Sequence, residues 1–322
     1  MARSNLTAGE KSYNRALFYR RYGIGIVMIA MVVILSLTTK FMSTNNVLNV
    51  LNTIAINGAI SCGMVFVIIA GGIDLSVGAL LAWGSIMVGI VLKDTQSIPL
   101  AIIATLVTCS FFGLLNGLII AKFDLFPFVV TLATMLVIRG LATAVAGGYS
   151  FPLSVPSYAQ LGLGKLFGVI PYPAIILVVL LILSYIVMHK TRFGRYVYAV
   201  GGNLHAAEAA GVSVFWTRVF TFVISGFCSG VAALLITARI NASQPNIGVG
   251  YETDAIAACV IGGTSFSGGI GTIAGTAMGI IIIGLIYNGM NLLGVDSYYQ
   301  QVCKGLLILA AVLVDKFINK RR

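Results

Sequence analysis

From Tyr22 to Val314 the chain is a succession of apolar stretches, most of them close to twenty residues long, separated by short polar punctuation. A helix of that length matches the hydrocarbon thickness of a bilayer, about 30 Å. Lipid offers no partner to a backbone N–H or C=O, so each such stretch must satisfy its own backbone by coiling into a helix. Composition supports this reading. Hydrophobic residues make up 59% of the chain and charged residues 9%, against about 25% charged in a soluble domain. The chain is therefore expected to be an all-α integral membrane protein.

Ten spans are expected: residues 22–41, 45–72, 75–92, 98–121, 126–147, 169–188, 215–238, a weak glycine-rich eighth from Asp254 to Gly263, 272–293 and 298–314. Asn241 to Thr253 reads as an outer polar connector, and 148–168 as a less apolar one. Residues 1–21 form a leader, 22–316 the transmembrane domain, and 317–322 a basic tail. Eight spans remain an alternative if the second and third, or the eighth and ninth, are re-entrant.

Charge tests the count. The net charge of +11 has the pattern of a membrane protein rather than a nucleic-acid footprint. Arg3, Lys11, Arg15, Arg20 and Arg21 precede the first span; Lys316, Lys320, Arg321 and Arg322 follow the last. Basic residues mark cytoplasmic segments, so both termini are expected inside and the number of spans even. Ten spans also place Lys122, Lys190, Arg192, Arg195 and Arg218 inside. Lys40, Lys93, Lys165, Arg239 and Lys304 fall outside or near the outer end.

The longest polar interruption is His189 to Arg218, with a cytoplasmic loop over 189–214. Within it, Asn203 can cap a short helix that Gly211 ends, and Ala and Leu favour the interval between them. A helix held against the cytoplasmic face is a handle for a soluble partner. Gly201, Gly202, Asn203, Glu208, Ala209 and Gly211 are the candidate coupling residues.

Several chemistries find no support. Cys62, Cys109, Cys228, Cys259 and Cys303 lie in or beside apolar stretches without a CxxC pair, so neither a disulfide nor a metal site is indicated. No Ser/His/Asp or Cys/His constellation appears. No phosphate-cradling GxxxxGK[ST] occurs, so energy from ATP-Mg would have to come from another subunit, and no cofactor is expected on this chain.

Asp74 is the sharpest single position, the one acid between Glu10 and Asp94. A mid-bilayer carboxylate costs about 2.5–3.5 kcal/mol on insertion scales. Asp74 and Ser76 either line or gate a pathway at a break between spans, or cap an ordinary turn. Arg139 lies inside the fifth span, where it either snorkels or pairs with Glu252 or Asp254. Asn116 and Asn288 complete the pathway candidates. They sit in Gly113–Gly117 and Gly284–Gly289, two similar segments of opposite expected polarity that suggest an internal inverted repeat. Gly71–Gly78 also resembles Gly262–Gly269, but with the same polarity. Tyr251, Glu252 and Asp254 either cap the eighth span or, with Arg239, form an outer rim for docking a partner.

Taken together, four motifs resemble the monosaccharide permeases of ABC importers, ribose-type permeases above all: Ile69-Ala-Gly-Gly-Ile-Asp-Leu-Ser-Val-Gly78; Gly194-Arg-Tyr-Val-Tyr-Ala-Val-Gly-Gly-Asn203; Gly250-Tyr-Glu-Thr-Asp-Ala-Ile-Ala-Ala258 with Gly262-Gly-Thr-Ser265; and Asn288-Gly-Met-Asn-Leu-Leu-Gly-Val295. The resemblance implies a type II-importer-like permease in the inner membrane, paired with a second permease copy as a homodimer or related heterodimer. It also implies an ATP-binding subunit docked on the 203–211 helix and a soluble or lipid-tethered sugar-binding protein outside. The wider signature, EAA followed several residues later by glycine, is matched loosely, because Gly211 directly follows Glu208-Ala-Ala210. Two alternatives stay open: an ion-coupled secondary transporter relying on Asp74 and Arg139, and an ABC permease for a branched-chain amino acid or other small ligand.

Overall fold

The computed structural model describes residues 25–26 and 28–319; the expected leader and the end of the basic tail lie outside them. Helices dominate. α1 (Met28–Thr38) is followed by α2 (Thr44–Ile69), α3 (Val77–Thr95), α4 (Ile98–Phe123) and α5 (Pro127–Val145). A connector then carries β1 (Phe151–Pro152), a 3-10 turn at Pro156–Ala159, the single turn α6 (Gln160–Leu163), and the hairpin β2–β3 (Lys165–Leu166 and Ile170–Pro171). Next come α7 (Tyr172–Lys190), α8 (Arg192–Gly202), α9 (Leu204–Ala209) and α10 (Val214–Ile240). The chain closes with β4 (Ala242–Ser243), α11 (Tyr251–Ile261), α12 (Ile273–Leu292) and α13 (Ser297–Asn319).

Local chemistry sets the boundaries. α4, α5 and α7 each carry proline in the first turn, where a missing N–H costs nothing and the fixed φ suits the helix. α3, α4 and α10 end on Gln96, Asp124 and Asn241 in the left-handed region, which turns the chain back at once. Seven helices among the described residues are long and apolar enough to cross a membrane.

Two of them form the centre. In the most apolar window of α2, 89% of residues are buried, and in that of α10, 78%; α4, α5 and α7 bury only 22–28% and turn the rest outward. Lipid provides little hydrophobic drive between helices, so close approach through small residues takes over. A Cβ on Gly113 would overlap Phe222 O, and one on Gly226 would overlap Cys109 O, which locks α4 against α10 backbone to backbone. Overpacking such a contact costs about 1–3 kcal/mol. Gly113→Ala should therefore lower the thermal midpoint of the detergent-purified protein, whereas Gly305→Ala, open within 4 Å, should not. An unchanged midpoint in the first variant would show that this contact yields freely.

The two segments of the suggested inverted repeat run in opposite directions. α4 is antiparallel to α10, from the Gly113–Phe222 and Gly117–Val219 contacts, and α12 is antiparallel to α2, from Gly58–Ile280 and Gly284–Ile54. α2 and α10 are themselves antiparallel, because Gly63 meets Ser225 while Arg239 bonds Asn49 and Thr53.

The main correction concerns 241–253. These residues are not an outer connector along their whole length. β4 pairs with β1, and the chain then turns back into the bundle beside α3 through a run of turns. Ser243 Oγ donates to Ser85 O at 2.7 Å, and Gln244 N to Ser85 Oγ at 3.3 Å. Gly248 reaches Gly78, about 25 Å along α3 from Thr95 at 1.5 Å per residue. α11 starts there and has only 11 residues, about 16 Å of helix, half of what a crossing needs. The expected eighth span, residues 254–263, falls on this short helix, and the irregular, turn-rich stretch 243–250 precedes it.

Candidate functional site

Three polar features occupy the bundle, and each draws on backbone that leaves regular structure there. The first is the break between α2 and α3. Gly71 takes φ +85°, and the chain runs through Ile73, Asp74 and Leu75 before α3 begins. Asp74 and Ser76 are both fully buried. Asp74 Oδ1 accepts from Ser76 N at 3.0 Å and Ser76 Oγ at 2.6 Å, and Oδ2 accepts from Ser225 Oγ of α10 at 2.7 Å. Asn116 Nδ2 of α4 donates to Ser76 Oγ at 3.0 Å. Thr131 Oγ1 of α5 accepts from Leu75 N at 3.1 Å and lies 3.2 Å from Ile73 O. One short turn therefore ties together α4, α5 and α10. A plain capping role accounts for the Ser76 bonds but not for the link to Ser225.

The second feature is the re-entrant stretch 243–250. Arg139 Nη1 donates to Pro245 O at 3.2 Å and Ile247 O at 2.6 Å. Arg139 makes no salt bridge with Glu252 or Asp254, although the Glu252 carboxylate is near enough for its charge to act on the guanidinium: the two salt bridges among the described residues are Arg218–Asp124 and Lys304–Asp254. Irregular backbone inside a bundle lacks the ladder of a helix, and Arg139 Nη1 supplies a donor to both carbonyls. Glu252 Oε1 accepts from Gly250 N at 3.1 Å. A Cβ on Gly78 would overlap both Gly248 O and Glu252 Oε2, so the α2–α3 break and the re-entrant stretch touch. Val249 is 72% exposed beside this crossing.

The third feature anchors α11. Lys304 of α13 lies 2.6 Å from Asp254 Oδ1 and donates to Gly250 O at 3.0 Å, and Tyr287 OH donates to Asp254 Oδ1. Asp254 is 5% exposed. Tyr251, Glu252 and Asp254 form the first turn of α11, in keeping with the capping alternative; Tyr251 and Glu252 are half-buried and Asp254 is buried. Arg239 binds Thr53 Oγ1 at 3.1 Å and Asn49 Oδ1, which ties α10 to α2.

The pathway candidates divide. Asp74, Ser76 and Asn116 converge, and Arg139 holds the neighbouring stretch. Asn288 does not join them; it forms a reciprocal amide pair with Asn46, at 2.7 and 3.0 Å, near the far end of α2. Ser225, Thr131 and Lys304 were not singled out from the sequence. Ser225 and Thr131 are small hydroxyl residues in apolar spans with nothing local to distinguish them.

The coupling candidates fall at the end of α8 and around α9; Gly201 packs against Ile69 and Gly269, and the others are exposed. Asn203 Oδ1 accepts from Ala206 N at 2.9 Å, and Gly211, at φ +80°, donates to Glu208 O at 2.9 Å. The expected helix is therefore α9, capped at both ends. Glu208 and Ala209 are exposed, while Ala207 is buried. α8 is a second helix that the sequence reading did not separate. Its signal is Thr191, whose side chain accepts from Gly194 N, followed by Val197 and Val200 on one buried face. Tyr198 OH donates to Gly271 O at 2.7 Å; burial pushes the phenol above its ordinary pKa, which keeps it a neutral donor.

Comparison with known proteins gives a concordant picture. Residues 46–312 match the family described as branched-chain amino acid transport system / permease component. The ribose import permease protein of Bacillus subtilis strain 168 is 44% identical over 292 residues, 90% of this chain and 90% of that protein. The ribose import permease protein of Escherichia coli K12 is 36% identical over 320 residues, 98% of each. The L-arabinose transport system permease protein of the same strain is 34% identical over 316 residues, 98% of this chain and 96% of that one. No solved structure matches.

Proposed function

The chain belongs to the branched-chain amino acid transport system / permease component family, and from that membership we propose that it is the membrane subunit of an ABC importer for a monosaccharide of the ribose class. It is a multi-pass membrane permease. Its relatives named above carry ribose and arabinose, which favours a neutral sugar over an amino acid.

The observation that carries the reading is the irregular, turn-rich stretch 243–250. Irregular backbone at membrane depth persists only where protein covers it or a water-filled passage runs beside it. Discontinuous helices of this kind surround the substrate path in many transporters. The passage therefore runs along 245–250 and the Asp74 turn, with Arg139 holding its wall, and a second permease copy closes the other side. The path takes ten passes, 241–261 counting as one. Both termini lie in the cytoplasm of a cell whose inner membrane holds the complex. The ATP-binding subunit docks on α9 through Asn203, Glu208, Ala209 and Gly211 and consumes the ATP-Mg. A sugar-binding protein delivers the solute at the opposite face, on the connector 146–171 rather than on Tyr251, Glu252 and Asp254.

Reconstitution tests this. The chain, its ATP-binding subunit and its sugar-binding protein in liposomes should accumulate labelled ribose with ATP, and collapsing the ion gradients should leave uptake unchanged. Accumulation by the chain alone, without nucleotide, would establish instead an ion-coupled carrier, for which the buried Asp74 would be the coupling group.

A further inference from the structure

Three glycine pairs distant in sequence lie at the end of α2, and Gly71, Gly201, Gly202, Gly268 and Gly269 of them meet there. The pairs are Gly71–Gly72 after α2, Gly201–Gly202 at the end of α8, and Gly268–Gly269 in the loop before α12. A Cβ on Gly201 would overlap Ile69 O and stand 2.7 Å from Gly269 N; one on Gly268 would stand 2.7 Å from Gly201 O and 3.1 Å from Gly71 Cα. Gly269 N donates to Ile69 O at 2.8 Å, so the last carbonyl of α2 binds this loop while α8 presses on it. The same loop takes the Tyr198 hydroxyl at Gly271 O. Ile69 lies five residues before Asp74, whose turn bonds α4, α5 and α10.

We propose that Gly201 and Tyr198 are positioning residues through which movement of α8 and α9 reaches the Asp74 turn. The proposal rests on the reading that an ATP-binding subunit docks on α9. Direct backbone contact explains why glycine occupies the junction. A side chain placed between two segments can change rotamer and absorb a small displacement. Two backbones in van der Waals contact cannot, because a close-packed interior hardly compresses. Displacing α8 therefore displaces Ile69, and with it the turn that holds the Ser225 bond. The Tyr198 bond makes the 262–272 loop move with α8 in the same step. Small shifts of this kind become large ones where packed elements have two discrete arrangements.

The test compares the assembled importer carrying Gly201→Ala, Tyr198→Phe or Gly305→Ala, the last on α13 with open space around it. Three readouts are taken: co-purification of the ATP-binding subunit, ribose-stimulated ATP hydrolysis, and ribose uptake. Gly201→Ala should keep the subunit bound yet lose sugar stimulation and at least about tenfold of uptake, within the range of coupling factors between sites. Tyr198→Phe, which removes one hydroxyl, should lose about threefold to fivefold, the scale of one net hydrogen bond. Gly305→Ala should match the wild type. Stimulation and uptake within twofold of wild type in both junction variants would overturn the proposal. So would losing the bound subunit in step with activity, since that would make the junction part of the docking surface. If Gly201→Ala does not accumulate, Tyr198→Phe alone decides. Failure of the wild-type complex to take up ribose would count against the functional reading, whereas wild-type uptake with silent junction variants counts against this inference alone.

Discussion

Arg139→Leu should abolish uptake, by about a hundredfold or more, and leave the protein markedly less stable in detergent. The guanidinium is the donor for Pro245 O and Ile247 O, and no helix or sheet ladder offers a substitute there. An unsatisfied buried polar group costs about 1–3 kcal/mol. With two carbonyls released, the stretch 243–250 loses its seat beside α3, and the wall of the proposed passage goes with it. Arg139→Lys supplies one ammonium without the planar fork, so it should recover part of the stability and less of the transport. The measurement is ribose uptake alongside thermal midpoint. A leucine variant that transports at wild-type rate would show that the re-entrant stretch holds its place without this side chain.

Asp74→Ala carries the second-largest expected effect. It strips the partner from three buried donors, Ser76 N, Ser76 Oγ and Ser225 Oγ. At about 1–3 kcal/mol each before relaxation, the turn should lose several kcal/mol and its link to α10. Asp74→Asn keeps the shape and one acceptor oxygen, so it should fall between wild type and alanine in both uptake and stability. The contrast separates two roles. If Asp74 merely shapes a local turn, alanine lowers stability modestly and leaves uptake intact. If it joins α10 to the break, Ser225→Ala should reproduce much of the transport defect from 151 residues away. Intact uptake in both Asp74→Ala and Ser225→Ala would remove the turn from the mechanism.

How far the sequence could be read depended on the range of the forces involved. The α9 helix was legible because its caps are local: Asn203 and Gly211 act on backbone groups within three residues. α8 was not separated from it, although Thr191 and the Val197–Val200 face were on view, because two glycines at its end looked like loop. Asp74 stood out because a lone acid in an apolar tract is costly wherever it lies. Its partners did not, because Ser225 and Thr131 are ordinary residues in apolar helices. Arg139 was conspicuous, but its charge alone left snorkelling and a carboxylate pair equally open; its hydrogen bonds go to the carbonyls of Pro245 and Ile247, with the Glu252 charge nearby.

The sequence by itself determined the medium, the helical class and the existence of a short capped helix at 203–211, because hydropathy, span length and capping all act within about one segment of chain. Only the tertiary structure decided that 241–250 turns inward. Polarity marks such residues as fit for water, and a passage inside a bundle satisfies that as well as an outer surface does. Depth belongs to the neighbours: Ser85, Gly78 and Arg139 hold this stretch within the bundle, and none of them is near it in the chain.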